Sequence, residues 1–241
     1  MRALVLFLSI AGVALCVRPA GAASVRVSPV LLEAHAQSPA IGITLRNDTP
    51  KPAITQLRIF RWSQDHGADR LTPTNDVIVS PPIITLTPHT EYRARVIRLS
   101  RQSLAGEESY RLIVDELPDS KAVRDRSISF VVRQSIPVFF APPSGNPAVA
   151  WSVVRERNSY RVTAVNHGES RMRVARLRLC DAHGLELAHR DGLVGYVLAH
   201  SQMSWTLPVP GSSAKREGLI KLSAKTEAGA IDVATALRSA R

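Results

Sequence analysis

Cysteine is nearly absent: the 241 residues contain two, Cys16 and Cys180. Cys16 falls in an N-terminal leader, so the mature chain keeps Cys180 alone and no internal disulfide can staple its fold. Cys180 ends the alternating phrase RLRLC and reads as a small core residue. Aromatic residues are sparse at 5%, too few for the stacking platforms that read single-stranded nucleic acid. There is no Gly-x-Ser-x-Gly elbow, no His-Glu-x-x-His, no glycine-rich phosphate loop and no Cys-x-x-Cys. The 7 histidines lie mostly in turns and never at metal-ligand spacing. Asp115 and Glu116 are neighbours on one predicted strand, so they point to opposite faces and form no acid–base pair by themselves. The sequence reads as that of a non-enzyme that needs no metal, nucleotide or other cofactor.

Long apolar runs are missing too, apart from one at the start. Arg2 is a short positive region, and residues 3–17 are apolar except for Ser9 and Gly12. Pro19, Ala20, Gly21, Ala22 and Ala23 then supply small residues for cleavage. This is a secretory signal peptide over 1–23. Its core of about 15 residues is shorter than the roughly 20 a membrane-spanning helix needs. Leu15 is too large for the position before a lipidated Cys16. The expected product is exported and soluble.

Acidic residues are outnumbered, 20 against 31 basic, for a formal charge of +11. Without Arg2 and Arg18 this becomes +9. Such a balance suits an acidic protein partner, a membrane surface or another polyanion. The densest basic group is Arg171, Arg173, Arg176 and Arg178. It alternates with Met172, Val174, Leu177 and Leu179, as on the solvated face of an antiparallel strand.

What the chain does have is period-two alternation broken by turn residues. Strands are predicted in 24–34, bent at Pro29, and in 40–47, 53–64, 91–100 and 109–117. Two short strands flank Pro81 and Pro82. Residues 65–73 read as a hairpin loop. The phrase APPSGNPA at 141–148 is dense in proline and glycine and marks a domain boundary. A second set of short strands follows, and no long amphipathic helix is predicted anywhere. The fold class is all-β, two tandem immunoglobulin-like β-sandwiches, over 24–142 and 143–241.

One strand is longer than a small sandwich needs. Ile128, Phe130, Val132, Ile136, Val138 and Phe140 recur at alternate positions, with Gln134 the only interruption. That is an apolar ribbon about 40 Å long, against a usual strand of about 5–6 residues. The surplus is available to another protein.

The phrases SVRVSPVLLE, LRNDTPKP, VIVSPPIITLTPHTEYRARV and YRLIVDELP in the first half, with YRVTAVNHG and GYVLAHSQMSWTLP in the second, carry a family likeness. On them the chain resembles the periplasmic pilus assembly chaperones of the chaperone–usher pathway, most like their archaic branch. The resemblance implies an L-shaped pair of sandwiches in the periplasm. It implies a chaperone that binds pilin subunits by donor-strand complementation and delivers them to an outer-membrane usher in fimbrium biogenesis. A self-capping oligomer of the free protein is a further expectation. The donor residues it implies are Ile128, Phe130, Val132, Gln134 and Ile136, while Val138 and Phe140 serve the home core. Three buried large donors would contribute about 5–9 kcal/mol before ordering costs.

The chain departs from the family at the pilin C-terminal carboxylate. Where better-known members place an Arg and a Lys, it has Leu31 and Pro137, and neither binds an anion. A buried terminal carboxylate still needs a cation. Arg111 is the first candidate, against a structural ion pair with Asp115 or Glu116. Arg133 and Arg95 follow. Two rival readings stay open: an exported two-domain adhesin or pilin-like protein, and a polyanion-binding module using the arginines of 171–178.

Overall fold

Alternating burial folds the first half of the chain into two facing sheets. The computed structural model describes residues 25–35, 38–118, 132–142, 144–209 and 218–239. The signal peptide, Ile128 and Phe130 lie outside these residues. The first strands are β1 (Val25–Ser28), β2 (Leu32–His35), β3 (Ala40–Asn47), β4 (Ala53–Asp65) and β5 (Ala68–Pro73). They are followed by β6 (Val77–Ser80), β7 (Ile83–Leu86), β8 (Glu91–Arg98), β9 (Glu108–Leu117) and β10 (Arg133–Ala141). One sheet has the order β1-β3-β8-β6. The other runs β2-β10-β9-β4-β5, with β7 also paired to β4. Twice the chain crosses between sheets at a proline after serine. β1 pairs with β3 and β2 with β10, either side of Pro29; β6 pairs with β8 and β7 with β4, either side of Pro81 and Pro82. Proline supplies no ladder donor, so pairing stops there and resumes on the other sheet.

The first core gathers Val25, Leu45, Leu57, Val96, Leu112, Val138 and Phe140 from both sheets. The second half forms β11 (Val149–Arg155), β12 (Ser159–Asn166), β13 (Met172–Asp181), β14 (Glu186–Val197), β15 (Gln202–Pro208), β16 (Leu219–Thr226) and β17 (Gly229–Ser239). Their pairing order is β14-β13-β16-β17-β11-β12-β15. The long β17 pairs first with β16, then in parallel with β11, wrapping the ladder around a core of Tyr160, Leu177, Leu179, Trp205 and Leu222. Among the described residues the chain is all-β, in sandwich domains. Among the described residues no helix is long and apolar enough to cross a membrane.

The two halves share one internal device. Asn47 is fully buried, and its amide donates to the carbonyls of Lys51, Leu86 and Thr87 while its oxygen accepts from Thr49. Asn166 does the same with the carbonyls of Ser170, Val197 and Leu198 and the amides of Gly168 and Ala148. In each half a buried asparagine ends a strand and ties two turns together, satisfying backbone groups that would otherwise be orphaned.

Several local readings need correction. The hairpin at 65–73 is a tight turn, with His66 at φ 51° and Gly67 at φ 79°, followed by the strand β5. Two successive positive φ values match the twist of adjoining strands, which is why glycine serves there. On β4, Leu57 and Ile59 pack with the first core, but Trp62 faces the other way. On β13 the register shifts around Ala175 and Leu177, and Arg176 has φ 51°. Arg176 and Arg178 are solvated as expected, whereas Arg171 is almost wholly buried.

Candidate functional site

β10 is the element on which the site is built. Its Ile136, Pro137, Val138, Phe139 and Phe140 are all buried, so both faces of the strand are covered. Ile136, Val138 and Phe140 pack into the first core. Phe139, on the opposite face, joins Trp62 of β4 and Tyr196 and Leu198 of the second sandwich in a separate apolar cluster, with Leu31 packed against it. Trp62 meets Phe139 at 5.8 Å between ring centroids and meets Tyr196 edge-on at 5.6 Å. This aromatic cluster is the floor between the two sandwiches.

Two contacts hold that floor together. On one side the β4–β5 hairpin docks on the second sandwich. The Gln64 amide nitrogen donates to the Tyr196 carbonyl at 2.8 Å, and its oxygen accepts from the Leu198 amide at 2.9 Å. Gly67 pairs with Met203 of β15, where a side chain at Gly67 would press on Ser204. On the other side Arg171 reaches back to the first sandwich. Its guanidinium binds Glu33 of β2 and Glu107 just before β9, and lies 3.7 Å over the Phe139 ring. The Arg171 amide also donates to Glu107 at 3.1 Å, and the Glu107 amide to the Glu169 carbonyl at 2.9 Å. Burial pushes the Glu107 carboxyl up to about 7, with the Arg171 amide pulling the other way.

Beside this aromatic cluster stands Arg111, half-buried on β9. It pairs in register with Pro137 of β10 on one side and Phe60 of β4 on the other. Its guanidinium lies 3.7 Å over the Trp62 ring. Burial lowers its pKa, opposed by Asp69 and Tyr196. The expected alternative pairing with Asp115 is not made: Asp115 is engaged by Arg133 at 2.5 Å and by Arg58 at 2.7 Å. Leu31 and Pro137 both sit against this region, and both are apolar. The cation therefore stands one strand over from Pro137, on the same face of the sheet, where side chains are about 5 Å apart.

The other sequence candidates fall in different places. β2 pairs with β10 only from Val138 onward, so among the described residues 133–137 have a ladder partner on one side alone. Val132 is half-buried just before the strand, and its carbonyl accepts from the Glu116 amide at 3.1 Å. The Gln134 amide donates to the Val25 carbonyl at 2.9 Å, tying it to β1. Ile136 is 3% exposed inside the first core, so its side chain is not free for a partner. That corrects its place among the expected donors: Ile136 belongs to the home core. Arg133 is exposed but committed to Asp115. Arg95 is exposed on β8, in the sheet that does not bear the aromatic floor, and the site does not include it. Reading β10 as one alternating row missed Phe139. The signal was the unbroken apolar run from Ile136 to Phe140, which marks a strand buried on both faces. Among the described residues no three His, Cys, Asp or Glu side chains gather as metal ligands.

Comparison with curated proteins returns no match. Solved structures do match in fold. One is the chaperone–tip adhesin pre-assembly complex of CsuC and CsuE from the archaic chaperone–usher Csu pili of Acinetobacter baumannii, at TM-score 0.66 and 23% identity, over 91% of this chain and 100% of that one. A second is the Salmonella enterica SafA pilin in complex with the SafB chaperone, at 0.59 and 16%, over 88% and 97%. A third is the E. coli chaperone DraB, at 0.55 and 19%, over 87% and 95%. The family model for the N-terminal domain of PapD, described as a pili and flagellar-assembly chaperone, matches residues 24–146. The chain belongs to the family of pili and flagellar-assembly chaperones.

Proposed function

We propose that this protein captures pilin subunits in the periplasm, in the cleft floored by Trp62, Phe139 and Tyr196, and passes them to an outer-membrane usher. The observation that carries this is the half-open edge of β10 beside Arg111. An incoming strand can pair with the backbone of 133–137 while its terminal carboxylate meets the guanidinium one strand away. Strand addition supplies main-chain hydrogen bonds, and alternate apolar side chains supply fit. Ile128, Phe130 and Val132, preceding the home-core residues, are the side chains we assign to the subunit's groove. Arg111 is assigned to the carboxylate, because a half-buried guanidinium lacking an ion-pair partner among the described residues gains most from one. No nucleotide or metal enters this reading, since completion of the subunit's fold supplies the driving force.

The +9 charge expected of the mature chain favours acidic subunits and speeds their encounter. Arg171 is already bound by two carboxylates, which leaves less of the basic group for a polyanion. The experiment is affinity purification of the tagged protein from the periplasm of its native host, with intact masses of what co-elutes. A stoichiometric β-rich partner supports the reading, and a clean protein under conditions where pili are made turns it toward the adhesin or polyanion alternatives.

A further inference from the structure

The cation of the proposed carboxylate site is held by a ring, not by an acid. The ion pairs nearby go to other arginines: Asp115 to Arg58 and Arg133, Glu107 and Glu33 to Arg171. Arg111 instead places its guanidinium carbon over the Trp62 ring, 3.7 Å from the centroid. Stacking uses the face of a guanidinium and leaves its in-plane N–H edge free, and that edge is what a carboxylate binds in a two-pronged fashion. A stacked arginine has also surrendered rotamer freedom before any ligand arrives.

The ring is itself fixed from two directions. Trp62 is 3% exposed, its Nε1–H donates to Asp69 at 2.9 Å, and Tyr196 meets it edge-on. The same Asp69 oxygen accepts from the Gln64 amide at 2.9 Å. Gln64 is the residue that grips the backbone of Tyr196 and Leu198 in the second sandwich. An unbroken series of contacts therefore runs from the second sandwich, through Gln64, Asp69 and Tyr196, to the platform under Arg111.

We propose that Trp62 is a positioning residue for Arg111, set in place by the second sandwich, so that the carboxylate site is complete only while the two sandwiches are docked. This rests on the carboxylate reading of Arg111. It gives the second sandwich a role in binding without requiring it to touch the captured terminus.

The test compares two probes on the full mature chain: a ten-residue peptide of alternating valine and threonine ending in a free carboxylate, and the same peptide ending in an amide. The wild type should prefer the free acid by about tenfold or more. Trp62→Leu should reduce that preference to near parity, as Arg111→Ala does. Trp62→Phe, which keeps a flat ring, should retain most of it, and Gln64→Ala should fall between. A Trp62→Leu protein with the wild-type preference overturns the positioning role. A wild type that shows no preference or binds neither peptide, or an Arg111→Ala protein that keeps the preference, overturns the carboxylate reading instead. Because Trp62 is buried, the Arg111 Nε–H resonance of the free protein gives a second readout. It should be shifted upfield by the ring in the wild type and in Trp62→Phe; an unshifted wild-type resonance overturns the stacking whatever the peptides do.

Discussion

Pro137 and Arg111 face each other across the β10–β9 pair. A proline occupies the place where better-known members of the resembled family carry a Lys, and the guanidinium stands on the neighbouring strand. If that guanidinium is the anchor, Arg111→Ala abolishes subunit capture. The folded protein loses only a stacking contact on Trp62, worth about 1 kcal/mol, so its melting temperature changes little. Co-purification together with a melting curve checks both halves. An unchanged subunit yield removes Arg111 as the anchor.

The alternating row from Ile128 to Phe140 makes a sharper demand, because we assign its two parts to different roles. Replacing Phe130 and Val132 together by serine should leave the chaperone folded and unable to hold its subunit. Ile136→Ala should do the reverse, costing about 2–4 kcal/mol of stability because Ile136 is 3% exposed among core residues. Chemical denaturation of both proteins, beside a capture assay, separates the roles. A Phe130/Val132 variant that unfolds assigns those residues to the core, and a stable Ile136→Ala protein that fails in capture returns Ile136 to the donors.

Much of this was legible in the sequence, and the exceptions share a cause. Alternation exposed the strands at 40–47 and 91–100, observed as Ala40–Asn47 and Glu91–Arg98, because their buried residues recur two apart on one face. It failed where a second surface buries the other face. Phe139 and Trp62 point away from the first core and would be solvent-facing in a lone sandwich. Tyr196 and Leu198 of the docked second sandwich pack against them. Arg171 misled for the same reason: an arginine in an alternating strand reads as solvated, yet its side chain is 9% exposed beneath two carboxylates and a ring. Residues that act between domains carry no periodic signal in either domain alone.

The paired asparagines give a prediction free of any ligand. Asn47 and Asn166 are 0% and 1% exposed, and each satisfies backbone groups from two separate turns. Alanine at either position strands those groups in the interior, at a cost of roughly 2–4 kcal/mol. Denaturation should show losses of similar size for the two variants. A negligible loss at either site shows that water replaces the amide there.

Arg171 and Glu107 invite opposite outcomes from changes to the two partners of one ion pair. Arg171→Ala leaves Glu107, whose side chain is 1% exposed, buried without its guanidinium; breaking such a pair costs about 3 kcal/mol or more. It also frees one side of the interdomain floor, so small-angle scattering should report a larger radius of gyration.

Glu107→Gln, by contrast, keeps a hydrogen-bonding side chain and removes the cost of burying the charge. Burial raises the folded-state pKa of Glu107 from 4.5 to about 7, so between those values the native state holds a proton that the unfolded chain has released. Its contribution to stability is therefore complete below about pH 4.5 and is lost as pH rises through 7. Glu108, Asp76 and Asp115 are shifted the other way: hydrogen bonds from Arg98 and from Arg61 lead for the first two, and at Asp115 Arg133 and Arg58 outweigh the effect of burial. The stability they confer is lost in more acid solution, below their ordinary values, so it does not mask the Glu107 window. The melting temperature of the wild type should fall from pH 5 to pH 8 relative to Glu107→Gln, and the variant should be the more stable protein at pH 8. Parallel melting profiles for the two proteins across that range mean that Arg171 keeps Glu107 ionised throughout, and that the clamp is indifferent to pH.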